Sequence, residues 1–228
     1  MNTARISPSA KRISYVLKTI VVLSAAAGVY LSYAAGGRAF MGGRRVFMYF
    51  TIQSNIAIAL ICAAGMFLMA GDRQVRDAWY IVKLMGTISI TLTGGVFCFV
   101  LAPVMRSNAW NIQNVLTHVV VPVAAVLDFF VTGVFSGLKR RHVLFGVLPP
   151  LAYVIYAGIG YAAGWEFSEG VNYPYFFLNW GSPAGAFGFT DRLPYLGCVW
   201  WILILLFFLL AVARAYLALA DRLGRKMK

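Results

Sequence analysis

The chain is predicted to be an all-α integral membrane protein, a six-transmembrane-helix bundle with its N- and C-termini cytoplasmic. Three observations lead there. The sequence is 61% hydrophobic and only 12% charged, against about 25% charged residues in soluble domains, and its mean hydropathy is +0.77. Six apolar stretches approach or exceed the roughly 20 residues a helix needs to cross a ~30 Å hydrocarbon layer. Lysines and arginines gather in alternate connections between those stretches, as the positive-inside rule requires.

The spans fall at about 14–35, 46–70, 78–103, 112–136, 143–163 and 196–220. Little chain is left over, so residues 1–228 read as a single six-helix membrane domain. Helices are the expected form, because lipid offers the backbone no hydrogen-bond partners and a helix satisfies its own. The first span runs basic, apolar, then small, like a secretory signal. Its apolar part exceeds the 7–15 residues of a signal core, so an uncleaved span is expected. The short links Gly71–Arg76 and Gly137–His142 make their flanking spans antiparallel. Gly86, Gly94 and Gly95 in the third span, and Gly160 and Gly164 around the end of the fifth, permit close helix approach.

Charge orients the bundle. Arg5, Lys11, Arg12, Arg73, Arg76, Lys139, Arg140, Arg141, Arg222, Arg225, Lys226 and Lys228 belong to one side. Arg38, Arg44, Arg45, Arg106 and Arg192 belong to the other, where Glu166, Glu169 and Asp191 offset them. The net charge of +13 is therefore read as attraction to anionic lipid headgroups at the cytoplasmic face, not as a nucleic-acid footprint. Cys62, Cys98 and Cys198 form no CxxC pair or disulfide framework, though Cys98 and Cys198 both fall near outer span ends.

The outer connection 164–195 is far longer than the others and rich in aromatics. Tyr173, Tyr175, Phe176, Phe177 and Trp180 suit either an interfacial belt or a lid over an outward-facing cavity.

Polar residues inside spans are the candidate functional groups. Lys83 lies roughly 8 Å inside the third span at 1.5 Å per residue, and Asp128 reaches a similar depth late in the fourth. A structural ion pair between them is expected, with Thr87 and Thr91 continuing the Lys83 face. At the other side of the membrane, "FMYFTIQSNIAIAL" opens the second span with Thr51, Gln53, Ser54 and Asn55. His118 stands at matching depth in the fourth span, with Asn114 and Asn111 on its face. A hydroxyl needs an adjacent base to act as a nucleophile, and His118 is the one imidazole expected within a span. This makes Thr51 and His118 a candidate catalytic pair. Gln53, Asn55 and Asn114 are possible oxyanion or orienting groups. His142 reads as a solvated bystander in a cytoplasmic basic loop. No His or Cys stands at metal-ligand spacing to His118, and no Gly-rich phosphate loop opens a helix, so no metal or cofactor is expected.

"FMYFTIQSN" and, two spans later, "THVVVP" resemble the androgen-induced protein family, in particular its bacterial six-span membrane relatives; the family also includes the androgen-dependent TFPI-regulating protein. The resemblance covers most of the chain: six spans, inside termini, a polar threonine near the start of span two and a His-x3-Pro in span four. It implies an intramembrane hydrolase of fatty-acyl esters, with the nucleophile at Thr51 and the general base at His118. It also implies a lipid substrate drawn from the bilayer and a bacterial plasma membrane location. The "QSN" after Thr51 departs from the animal pattern. Two other readings of the same residues stand beside this one. In a non-catalytic scaffold, Thr51 and His118 tie spans two and four together. In a proton or small-solute transporter, His118, Lys83 and Asp128 line a relay, although "IAIALICAAGMFLMA" after Asn55 offers no polar continuation.

Overall fold

The computed structural model describes residues 7–36, 42–71, 77–105, 109–132 and 138–226. Six of its helices are long and apolar enough to cross a membrane. Among the described residues no strand forms beyond two isolated bridges in the long connection. Arg5, Arg38, Arg73, Arg76, Arg106 and Lys228, part of the charge pattern above, lie outside the described residues.

Helix α1 spans Pro8–Ala34, where Ser7 caps it by accepting from the Ala10 N–H and Pro8 occupies the first turn. Proline suits that position because its missing N–H would have had no partner. Helix α2 spans Phe50–Ala70 and follows a 3-10 turn over Gly43–Met48. The second span was expected from residue 46, so Thr51 stands in the first turn of its helix, not five residues along it. Helix α3 spans Asp77–Val96 and runs on as a π-turn over Phe97–Leu101. Helix α4, Ile112–Val131, has its own π-turn at Leu116–Val120. Helix α5, Arg140–Ala162, begins as a 3-10 stretch to Val147 and turns α-helical at Leu148. Pro149 and Pro150 explain the change, since neither can donate within a helix interior. Helix α6 spans Cys198–Lys226.

α3 is the most buried of the six. It packs against α2 and α4 on one side and against the 3-10 start of α5 on the other, while α1 covers α2 and α4. α6 also packs on Arg140–Val147 but hardly meets Leu148–Ala162. α5 and α6 thus diverge from a shared base, and residues of the long connection line part of the cleft between them. Small residues set the closest approaches. A Cβ on Gly94 would stand 2.9 Å from the His118 carbonyl oxygen and 3.1 Å from Pro122 Cβ, so only glycine lets α3 lie this close to α4.

The connection 164–195 folds inward. Tyr175, Phe177 and Leu178 are buried with Tyr49, Tyr153 and Phe167 in one aromatic cluster, and Phe176 and Trp180 pack partly against it. The Arg45–Glu166 ion pair and a bond from the Tyr49 hydroxyl to the Phe167 carbonyl hold its start to the turn before α2. All three cysteines are free thiols.

Away from Thr51, Asp128 holds two lysines. Lys83 Nζ lies 2.8 Å from one carboxylate oxygen and Lys18 Nζ 2.6 Å from the other, and all three side chains are almost fully buried. Ser14 donates to the same oxygen as Lys18, and Lys83 donates to Thr132 Oγ1. From the sequence, Lys83 pairs with Asp128 and Lys18 has no assigned role. A signal existed: Ser14, Lys18, Val21, Ala25, Gly28 and Ser32 recur at helical spacing and form the buried stripe of α1. His142 is also corrected. It is buried, and its Nδ1 accepts from the Lys139 N–H to cap the 3-10 start of α5. It is a structural group, not a solvated one.

Candidate active site

The backbone N–H groups of a helix's first turn have no intrahelical partners. At Thr51 the tyrosine hydroxyl of the long connection supplies one: the Thr51 N–H donates to Tyr175 Oη at 3.2 Å. The Thr51 carbonyl accepts from Asn55 Nδ2 at 2.7 Å and from Ser54 Oγ at 3.0 Å. Its Oγ1 then stands 3.4 Å from His118 Nε2 and 3.4 Å from Tyr175 Oη. Threonines in membrane helices commonly bond back to their own backbone. The carbonyl four residues before Thr51, that of Phe47, accepts instead from Gln53 Nε2 at 3.0 Å. The hydroxyl of Thr51 is left facing the histidine and the tyrosine.

His118 sits in the π-turn of α4. The turn precedes Pro122, which has no N–H to return to the His118 carbonyl, and it closes through the Val121 N–H donating to the Leu116 carbonyl. The second π-turn, at the end of α3, begins with Phe97, whose ring stacks on the His118 imidazole with centroids 4.0 Å apart and planes 22° apart. Single π-turns often mark functional positions, and both of these meet at His118.

The neighbours of Nδ1 assign the tautomer. The Asn114 carbonyl lies 3.1 Å away and can only accept. Thr117 Oγ1 lies 3.0 Å away, and its own proton goes to the Gln113 carbonyl at 2.8 Å. Nδ1 therefore carries the proton, which leaves the Nε2 lone pair aimed at Thr51 Oγ1. A neutral imidazole so disposed can accept a proton from the hydroxyl. Thr51, donating to Nε2, has its own lone pairs free for the Tyr175 O–H. A single directional chain results, from tyrosine to threonine to histidine to the Asn114 carbonyl. Burial pushes the Tyr175 phenol above its ordinary value, so it keeps the proton it donates.

The other polar residues do different work from that expected. Asn55 Nδ2 donates to the carbonyls of Thr51 and Thr117, the latter at 3.1 Å. Both of its N–H bonds are committed, so it ties α2 to α4 and is not an oxyanion donor here. Gln53 turns back to Phe47 and does not reach the pair. Asn114 orients the imidazole through its main-chain carbonyl, while its amide donates to Ala109. Ser54 bonds Thr93 at 2.7 Å and ties α2 to α3. Tyr175, read from the sequence as a belt or lid aromatic, is the member of the site that reasoning missed. No local motif marks it, because its position depends on how a long connection folds back.

A cavity of about 680 Å³, its open part included, fills the cleft between α5 and α6. Phe50 and Thr51 of α2, Leu92, Thr93 and Val96 of α3, Tyr153 of α5, Leu205 and Leu209 of α6, and Tyr175 and Phe177 line it. The walls are apolar apart from a few hydroxyls. Thr51 and Tyr175 face the cavity; His118 lies behind Thr51 and is not part of its wall. The expectation that two polar stripes face a common cavity is thus corrected: Asn55 is spent on tying α2 to α4, and the Asn114 amide on the Ala109 carbonyl just before α4. Among the described residues no three His, Cys, Asp or Glu side chains gather as a metal site.

Fold and site together define an all-helical protein with six helices able to cross a membrane and a threonine, histidine and tyrosine beside an apolar cavity. Comparison with protein-family models, with curated proteins and with solved structures finds no match to the chain.

Proposed function

We propose that the protein is an intramembrane hydrolase of apolar lipid esters of the fatty-acyl class, with Thr51 as nucleophile and His118 as general base. One observation carries the reading: Thr51 lines an apolar cavity, and its hydroxyl lies 3.4 Å from an imidazole nitrogen whose lone pair is directed at it. Distances of this kind run long before substrate binds and shorten in the reactive complex. The resemblance to the androgen-induced protein family supports the same two roles. In this reading both termini are cytoplasmic, the basic ends lie against anionic headgroups of a bacterial plasma membrane, and the ester enters from the lipid through the cleft between α5 and α6.

The transport reading finds less support, since Lys18, Lys83 and Asp128 are absent from the cavity wall. The scaffold reading draws on Ser54 and Asn55, which do tie helices, but it gives no task to a threonine–histidine contact beside an apolar cavity. A fluorophosphonate probe on the detergent-purified protein separates the readings. Covalent labelling that disappears in Thr51→Val and falls sharply in His118→Ala is expected. Equal labelling of all three proteins removes the pair from consideration.

A further inference from the structure

We infer that Tyr175 is the oxyanion donor of this site, its phenol hydrogen-bonding the carbonyl oxygen of the ester as Thr51 attacks. The inference rests on the hydrolase reading and adds to it a residue, a role and a task for the long connection.

An oxyanion donor has to stand on the substrate's side of the nucleophile, within bonding reach of the reacting carbonyl. Tyr175 meets that condition: it lines the cavity, and its hydroxyl lies 3.4 Å from Thr51 Oγ1. The other candidates do not. The Asn55 amide is fully used, the Gln53 amide is turned to Phe47, and Asn114 bonds Ala109. The phenol is held in place by its ring, stacked on Phe177 at 5.1 Å between centroids and set edge-on to Tyr49 at 5.8 Å. Such a donor needs little reorganisation when charge develops. In the resting site its oxygen accepts from the Thr51 N–H and its O–H donates to Thr51 Oγ1.

The step balances as follows. Thr51 Oγ1 forms a bond to the ester carbonyl carbon, its proton passes to His118 Nε2, and the carbonyl π pair moves onto oxygen. The Tyr175 O–H turns from Thr51 to that oxygen, donating without transferring its proton, while Oη goes on accepting from the Thr51 N–H. When the pair returns, the bond to the alcohol oxygen breaks and the alcohol leaves with the proton from His118. Water repeats the sequence on the acyl-threonine, releasing the fatty acid. Here the connection 164–195 completes the site, and the contacts that hold it at Arg45 and Tyr49 become contacts that position a reacting group.

The test is a kinetic comparison on the full chain in lipid nanodiscs with a long-chain p-nitrophenyl ester. Tyr175→Phe keeps the ring and removes the donor, and Tyr216→Phe removes a hydroxyl that bonds Thr91, away from Thr51 and from the long connection. Expected for Tyr175→Phe is a fall in kcat of roughly a hundredfold or more, with KM and the melting temperature close to wild type. Tyr216→Phe should keep kcat within a few-fold. A Tyr175→Phe enzyme with wild-type kcat, or an equal fall in both variants, overturns the assignment while leaving Thr51 and His118 in place. Absence of any Thr51-dependent turnover in the wild type removes the hydrolase reading and this inference with it. If Tyr175→Phe does not fold, difluorotyrosine at position 175 serves instead. Its more acidic phenol should shift the alkaline loss of kcat to lower pH, and an unchanged profile counts against the role.

Discussion

Thr51 Oγ1 and His118 Nε2 lie 3.4 Å apart although 67 positions separate them in the chain. The Asn114 carbonyl makes the relationship directional, because it takes the Nδ1 proton and leaves Nε2 as the acceptor. Loss of the imidazole in His118→Ala is expected to lower Thr51-dependent turnover of a fatty-acyl ester by about 10²–10⁴-fold. Thr51→Ser, which keeps a hydroxyl, should retain measurable activity where Thr51→Val does not. Steady-state kinetics on a panel of lipid esters decides it, and a fully active His118→Ala enzyme would show that another group is the base.

The cluster around Asp128 yields a stability prediction. Asp128→Asn leaves two buried lysines without their counter-charge and should destabilise the fold by about 3–5 kcal/mol. Lys18→Met should cost less, since Lys83 keeps its carboxylate at 2.8 Å. The triple replacement Lys18→Met, Lys83→Met, Asp128→Leu should recover much of the loss, because no charge then remains to be buried. Unfolding in mixed micelles measures all three, and a triple variant weaker than Asp128→Asn would contradict the ordering.

Asn55 and Gln53 lie two residues apart and should behave oppositely. Asn55→Leu removes the bond to the Thr117 carbonyl that ties α2 to α4, while the Thr51 carbonyl keeps Ser54, and should cost about 1–3 kcal/mol. It should also reduce kcat by loosening α2 from α4 at the reacting hydroxyl. Gln53→Ala removes one partly exposed bond to Phe47 and should change stability by about 0.5 kcal/mol or less. Melting temperature and turnover, measured side by side, test the contrast.

Leu209 of α6 and Leu92 of α3 line the same cavity as Thr51, and both are also buried in the α3–α6 core. A larger side chain there takes up space an acyl chain would occupy. Leu209→Trp is expected to shift preference toward shorter acyl esters while leaving the reaction with the shortest ester near wild type. An unchanged chain-length profile would mean that the acyl group lies elsewhere.

Much of this was legible in the sequence. Six helices able to cross a membrane were visible because an apolar run of helix length is a one-dimensional signal, and the second begins at Phe50, not at 46, because a 3-10 turn over Gly43–Met48 precedes it. The Lys83–Asp128 contact could be expected from matched depth alone. Thr51 and His118 could be placed in one slab of the membrane by counting 1.5 Å per residue. Counting gives height, however, and not direction around the bundle. For that reason Gln53 and Asn55 looked like equal candidates, although one faces the helix start and the other the α4 backbone.

Hydropathy was enough to give the number of helices able to cross a membrane and the residues whose burial needed explaining. That property is additive along a chain, and lipid imposes it on each segment separately. Folding in three dimensions settled which polar side chains became ties and which was left facing a cavity. It also brought Tyr175 to Thr51, 124 residues distant, and added Lys18 to the Asp128 cluster. Helices in lipid associate through close van der Waals fit and individual hydrogen bonds, not through further exclusion of water, and a fit of that kind exists only once the whole bundle is assembled.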